Sequence, residues 1–307
     1  MKVNLAEPRG FCAGVERAIR IVELALERFG RPVYVRKEIV HNRTVVDGLK
    51  PKGAVFVEEL DEVPEGSVTI FSAHGVSPAV RDEAQRRGLH VIDATCPLVA
   101  KVHIEVLQRV AEGYRIILVG HHGHEEVEGT MGEAPDRSIL VQNLEDVEKL
   151  DFPPGQKLAV VTQTTLSLDD TAEIIEALRS RFPDIRLPQK DDICYATQNR
   201  QQAIKQMAPD TDVFLVLGAA NSSNSLRLKE VAESEGKAAY LVPDAAAVDP
   251  KWLDGARTVG VSAGASAPES LVEELLKRLA DLGYSDRQVH IYAEENVQFS
   301  LPTELNT

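Results

Sequence analysis

The chain has 307 residues, 43% of them hydrophobic and 27% charged, with a formal net charge of −14. That length allows two or three domains with a buried core, and the acidic balance argues against a general nucleic-acid binder, whose surface would be basic. No apolar run approaches the roughly 18 residues of a membrane helix, and residues 1–7 lack the apolar core of a signal peptide, so a reducing cytoplasm is the expected compartment.

In chain order, the first predicted helix opens at Cys12, with Val15, Ile19, Val22 and Leu26 at helical spacing and Gly30 as its stop. A strand over 32–35 leads towards His41-Asn42, and a second over 68–71 ends in Ser72-Ala73-His74-Gly75. Ser77-Pro78 reads as the N-cap and first residue of a helix that stops at Gly88. A strand over 89–92 then delivers Asp93-Ala94-Thr95-Cys96-Pro97. Cys96 opens another helix, along which Val99, Val102, Val106 and Val110 share a side. The strand 115–119 ends in Gly120-His121-His122-Gly123-His124, and the strand 158–161 in Thr162-Gln163-Thr164-Thr165. A helix over 171–181 follows, and the chain passes Asp191-Asp192-Ile193 to reach Cys194. The last third repeats the order: a helix over 197–207, a strand over 212–217 ending in a polar run through Asn221-Ser222-Ser223-Asn224-Ser225, a strand over 258–261 ending at Ser266, a helix over 269–282 and a strand over 289–292. Here Ala293-Glu294-Glu295-Asn296 stands where a fourth cysteine would continue the pattern.

Strands alternating with helices predict an α/β fold with mainly parallel sheets. The loose threefold repeat predicts three small α/β domains in pseudo-threefold arrangement around a central site. Their expected bounds are 1–95, 96–193 and 194–283, with 284–307 as a C-terminal strand and tail.

The three cysteines are an odd number and far apart, which speaks against a disulfide framework. Each precedes a predicted helix, where the positive end of the dipole favours a thiolate. Three such thiols read as metal ligands, and a cubane iron–sulfur cluster held by three cysteines keeps one iron open for chemistry on a substrate. His41, His74 and His124, with Ser222, Ser223, Asn224 and Ser266, form a donor set past strand ends that suits a phosphate or diphosphate. Ser266 with Glu269 also spells a capping box, and 221–225 also reads as an ordinary turn. Glu125, Glu126 and Glu128 are candidates for proton transfer among which spacing does not choose. No G-x-G-x-x-G fingerprint is present, so electrons must come from a partner. Residues 28–52 hold seven basic residues against two acidic ones, either a solvated face or a dock for an acidic carrier. Two other classes fit the cysteines, a non-catalytic iron–sulfur carrier or sensor and a zinc hydrolase of phosphorylated substrates.

The blocks Pro8-Arg9-Gly10-Phe11-Cys12-Ala13-Gly14-Val15, Glu38-Ile39-Val40-His41-Asn42, Ser72-Ala73-His74-Gly75, Asp93-Ala94-Thr95-Cys96-Pro97, Glu126-Val127-Glu128-Gly129-Thr130, Thr162-Gln163-Thr164-Thr165 and Ser222-Ser223-Asn224-Ser225 occur in this order along nearly the whole chain. In them the chain resembles the 4-hydroxy-3-methylbut-2-enyl diphosphate reductases of the methylerythritol phosphate route to isoprenoids. The resemblance implies a [4Fe–4S] cluster on Cys12, Cys96 and Cys194. It implies a diphosphate held by His41, His74, His124, Ser222, Ser223, Asn224 and Ser266, Glu126 as proton donor, and Thr164 as the residue that orients the substrate hydroxyl. The implied reaction is a two-electron reductive dehydration to isopentenyl and dimethylallyl diphosphates, with ferredoxin or flavodoxin as donor. One departure is Glu125, where the family often has proline; a second carboxylate there is placed to act on Glu126.

Overall fold

The computed structural model describes residues 1–188 and 192–305; Asp191, on the approach to Cys194, and the end of the tail lie outside them. The chain begins with β1 (Lys2–Glu7) and α1 (Ala13–Phe29), then β2 (Val33–Arg36), α2 (Arg43–Leu49), β3 (Ala54–Val57), β4 (Val68–Phe71), α3 (Pro78–Arg86) and β5 (His90–Asp93). It continues through α4 (Pro97–Ala111), β6 (Arg115–Val119), α5 (Glu125–Gly132), β7 (Ser138–Val141), α6 (Leu144–Lys149), β8 (Leu158–Thr162) and α7 (Leu168–Arg181). The last third is α8 (Tyr195–Met207), β9 (Val213–Leu217), α9 (Ser223–Ser234), β10 (Ala238–Val242), β11 (Thr258–Ala263), α10 (Glu269–Asp281) and β12 (Asp286–Ile291).

Three sheets result, and every pairing in them is parallel. Their orders are β3-β2-β4-β5, β7-β6-β8 and β10-β9-β11-β1-β12. The α/β reading with parallel sheets therefore holds. Chain contacts divide the protein into two compact units. One comprises Met1–Glu16, His41–Val46 and Tyr195–Gln298 and contains the five-stranded sheet; the other comprises Arg17–Val40, Asp47–Cys194 and the stretch from Phe299, and contains the remaining two.

The central strands are apolar throughout because helices cover both faces of their sheets. Along β9, Val213, Leu215 and Leu217 join a core with Leu271, Leu275 and Leu279 of α10. The alternate residues Phe214 and Val216 join another with Ile204 of α8 and Leu228 of α9. β6 divides in the same way, Ile117 and Val119 to one side, Ile116 and Leu118 to the other.

The sheet orders explain the apparent break in the repeat. β5, next to β4, leads to Cys96. Arg186, bridged in parallel to Ala159 of β8, stands on the way to Cys194. In the third sheet the strand beside β11 is β1, which leads to Cys12. The N-terminus thus supplies the third repeat's closing strand, and β12 is an extra edge strand beyond it. A fourth cysteine after β12 has no counterpart in the other two repeats.

Candidate active site

All three cysteines immediately precede helices, as their sequence context predicts, and none forms a disulfide. Cys96 is the N-cap of α4, with Pro97 in the first turn. Their amides share one partner type. The Cys12 N–H donates to the Ala265 carbonyl (3.2 Å), Cys96 to Ala73 (2.9 Å) and Cys194 to Thr164 (3.0 Å). Ala265, Ala73 and Thr164 each lie two residues beyond the end of β11, β4 and β8, respectively. Gly10 and Ala94, each two residues ahead of a cysteine, also donate to the last carbonyl of a strand, Ala263 and Phe71. At the third loop the bond is reversed in kind, and the Thr162 N–H donates to the Asp192 carboxylate at 3.0 Å. Burial pushes the Asp192 carboxyl up to about 6, against the pull of the Thr162 amide and of Lys101. The bond from the cysteine amide to a strand-end carbonyl is thus built three times, and the second bond twice.

In the unit with two sheets, the predicted residues His74, His124, Glu126 and Thr164 gather at strand ends. His124 is the N-cap of α5, and its Nδ1 accepts the Glu126 N–H at 3.2 Å. A neutral imidazole there carries its proton on Nε2. The His74 and His124 rings meet edge to face, 5.9 Å between centroids. Glu126 is buried, and its carboxylate accepts from the Thr164 N–H (2.6 Å) and Oγ1 (3.0 Å). The structure thereby separates three carboxylates that spacing leaves equivalent. Glu126 faces inward, Glu128 is exposed, and Glu125 turns to His74, with Oε2 at 2.8 Å from Nδ1. The positive φ of Gly75, +82°, turns the chain after His74, and a Cβ there would press on His103 and Thr95.

In the other unit, His41, Ser222, Ser223, Asn224 and Ser266 gather. Ser222 caps α9, accepting from Ser225, so the polar run at 221–225 is a helix start. A Cβ at Gly218 or Gly264 would collide with the Ser225 side chain, which requires glycine on both sides of that start. Asn224 Oδ1 accepts the Ala265 N–H (2.9 Å) and its Nδ2 donates to Thr197 Oγ1 (3.2 Å). Ser266 does not form the expected capping box. The N-cap of α10 is Pro268, and the Ser266 hydroxyl donates to the His41 carbonyl at 3.0 Å. His41 Nδ1 lies 3.4 Å from Asn221 Nδ2.

Some side chains here have no precedent in the sequence reading. Gln163 is buried, takes the His121 N–H on Oε1 and donates to Thr165. Arg17, Lys101 and Arg200 each reach a cysteine loop. The available signal is a basic residue in the second turn after every cysteine.

A LytB protein family model matches residues 3–280. The chain is 60% identical over 306 residues to the 4-hydroxy-3-methylbut-2-enyl diphosphate reductase of Aromatoleum aromaticum, covering 100% of this chain and 98% of that one. It is 58% identical over 310 residues to the protein of the same name from Acinetobacter baylyi, covering 99% and 98%. Among solved structures, it superposes on the E-1-hydroxy-2-methyl-but-2-enyl-4-diphosphate reductase of Plasmodium falciparum with a TM-score of 0.97 at 41% identity, over 99% of this chain and 96% of that one. Over almost its entire length, the chain belongs to the LytB family of 4-hydroxy-3-methylbut-2-enyl diphosphate reductases.

Proposed function

We propose that this protein reduces 4-hydroxy-3-methylbut-2-enyl diphosphate to isopentenyl and dimethylallyl diphosphates, taking two electrons and two protons and releasing water. The observation that carries this is the double use of Thr164. Its N–H and hydroxyl grip the buried Glu126 carboxylate, while its carbonyl holds the Cys194 amide. An acid for the substrate's hydroxyl is thus tied to a candidate ligand loop through one residue.

The donor set fits a [4Fe–4S] group. Cys12, Cys96 and Cys194 are the chain's only cysteines, are not in disulfides, and have amides fixed in one repeated way. When bound, such a cluster supplies the electrons and one iron that no protein thiolate covers. The chain's own residues do the rest. Glu126 holds the proton that lets the hydroxyl oxygen leave as water, and Thr164 orients the hydroxyl. His41, His74, His124, Ser222, Ser223, Asn224 and Ser266 hold the diphosphate, so binding energy far from the reacting carbon positions it. The allylic group left behind takes its proton at either of two carbons, which accounts for two products. We assign the electron supply to a small carrier such as ferredoxin or flavodoxin in the cytoplasm, and read the chain as three modules joined at Cys96 and Cys194.

Glu126→Gln tests the assignment. It keeps the side chain's shape and removes its proton, so turnover with an artificial reductant is expected to fall by roughly 100-fold or more. The brown colour and iron content of anaerobically prepared protein should not change. Turnover close to that of the unsubstituted protein would remove Glu126 from the role. A colourless wild-type protein without iron would remove the cluster.

A further inference from the structure

Each cysteine opens a helix, and each helix carries a basic residue in its second turn: Arg17 on α1, Lys101 on α4 and Arg200 on α8. All three reach the chain just ahead of a cysteine, and never their own. Arg17 Nη1 donates to the Ala94 and Thr95 carbonyls, at 3.2 and 3.1 Å, directly before Cys96. Lys101 Nζ donates to Asp192 Oδ1 at 3.2 Å, two residues before Cys194. Arg200 donates to the Gly10 carbonyl from Nε and Nη2, at 3.3 and 2.8 Å, and to the Phe11 carbonyl at 3.5 Å, directly before Cys12. The order is cyclic. The helix of Cys12 holds the loop of Cys96, the helix of Cys96 holds that of Cys194, and the helix of Cys194 holds that of Cys12.

Each cysteine is therefore fixed from two sides, by its own amide on a strand-end carbonyl and by a cation on the residues preceding it. The Arg200 and Asp192 side chains are wholly buried, so water competes little for these bonds. The three cations differ in how their charge is met. Lys101 is paired with Asp192 and Arg200 with Glu295. Arg17 hydrogen-bonds only to neutral carbonyls among the described residues, the third being Ser300 at 2.8 Å from Nε. Its charge lies within electrostatic reach of the Cys96 thiol and, more weakly, of the Asp93 carboxylate, which it does not hydrogen-bond.

We infer that Arg17, Lys101 and Arg200 are positioning residues for the three cysteine loops, and that Arg17, whose charge no bonded carboxylate cancels, also makes electron uptake at the bound group more favourable. This rests on the reading of Cys12, Cys96 and Cys194 as ligands. A positive neighbour favours the reduced form because that form is the more negative one.

The test uses full-length protein prepared anaerobically as wild type, Arg17→Gln, Arg17→Lys and Lys101→Gln. A redox titration followed spectroscopically should show the Arg17→Gln midpoint shifted downwards by about 59 mV, a roughly tenfold loss in the one-electron uptake constant. Arg17→Lys, which keeps the charge, should recover most of that shift. Lys101→Gln should release iron to a chelator several times faster than wild type. An unchanged midpoint in a fully loaded Arg17→Gln protein, or an equal shift in Arg17→Lys, would overturn the role of the charge. If Arg17→Gln does not fold, wild-type iron release by Lys101→Gln overturns the positioning role by itself. Absence of iron from the wild-type protein would instead overturn the ligand assignment.

Discussion

Glu125 and Glu126 are adjacent carboxylates with different work. Glu126 turns inward to the Thr164 amide and hydroxyl. Glu125, the first residue of α5, reaches across to His74 on a neighbouring loop. A first-turn position such as this one would accept proline without loss of a helix bond, so the carboxylate is not needed for the helix itself. The His74 Nδ1 lies 2.8 Å from Glu125 Oε2 and 3.2 Å from the Ser72 hydroxyl, so two neighbours set the orientation of the ring. Glu125→Gln should therefore loosen the ring and raise KM for the diphosphate roughly two- to fivefold, about the worth of one partly exposed polar contact. The kcat should stay within about twofold. Steady-state kinetics decide the matter, because an unchanged KM would reduce Glu125 to an ordinary surface pair.

At the scale of elements, α4 follows Cys96 and carries a buried histidine, His103. His103 lies on its buried side, with Nδ1 2.8 Å from Glu133 Oε1, while Arg81 of α3 approaches the same oxygen at 3.3 Å. The His103 Nε2 is buried with no hydrogen-bond partner among the described residues, against the turn at Gly75. A proton added there would be a buried donor without an acceptor. Burial accordingly pulls the imidazole below its ordinary value of 6.5, with the Glu133 carboxylate opposing. Between 6.5 and the lowered folded value, the unfolded chain binds a proton that the folded chain refuses. Stability should fall as pH drops below 6.5 and level off beneath the folded value. His103→Gln should flatten that part of a stability-versus-pH curve measured by denaturant unfolding. An identical slope in the variant would place the proton uptake elsewhere.

For the molecule as a whole, the balance of charge sets what can approach. The net charge is −14, and the basic run at 28–52 stands against it. The structure neutralises much of that run with acidic residues from outside it. Arg36 makes a forked pair with Glu59, Lys37 bonds Glu58, and Lys52 bonds Glu23; Lys50 pairs with Asp47 inside the run. A face so paired has little charge left to steer an acidic carrier. Lys50→Glu with Lys52→Glu should leave the rate supported by a protein donor within about twofold of wild type, measured against the rate with an artificial reductant. A larger loss confined to the protein donor would restore a docking role to this segment. Among the described residues no helix is long and apolar enough to cross a membrane, in keeping with the hydropathy of the sequence.

The sequence by itself determined the elements whose patterns are strong and local. The helices after Cys12, Cys96 and Cys194, and the apolar strands β4, β6, β8, β9 and β11, fall where periodicity and stop residues put them. The donor residues that end those strands could be named because polar clusters interrupt apolar runs. Short or alternating strands stayed hidden: β3, β7 and β10 are edge strands, and β1 alternates around Asn4, a buried amide that bonds Asp210 and Thr211. Only tertiary structure decided that β1 closes the third sheet, since its partners β11 and β12 lie at the other end of the chain. The same holds for Ser266 bonding His41 instead of capping α10, for the choice among Glu125, Glu126 and Glu128, and for the basic residues gripping successive cysteine loops. Local propensity is written in neighbouring residues, whereas a side chain's partner depends on which strands the sheet order makes adjacent.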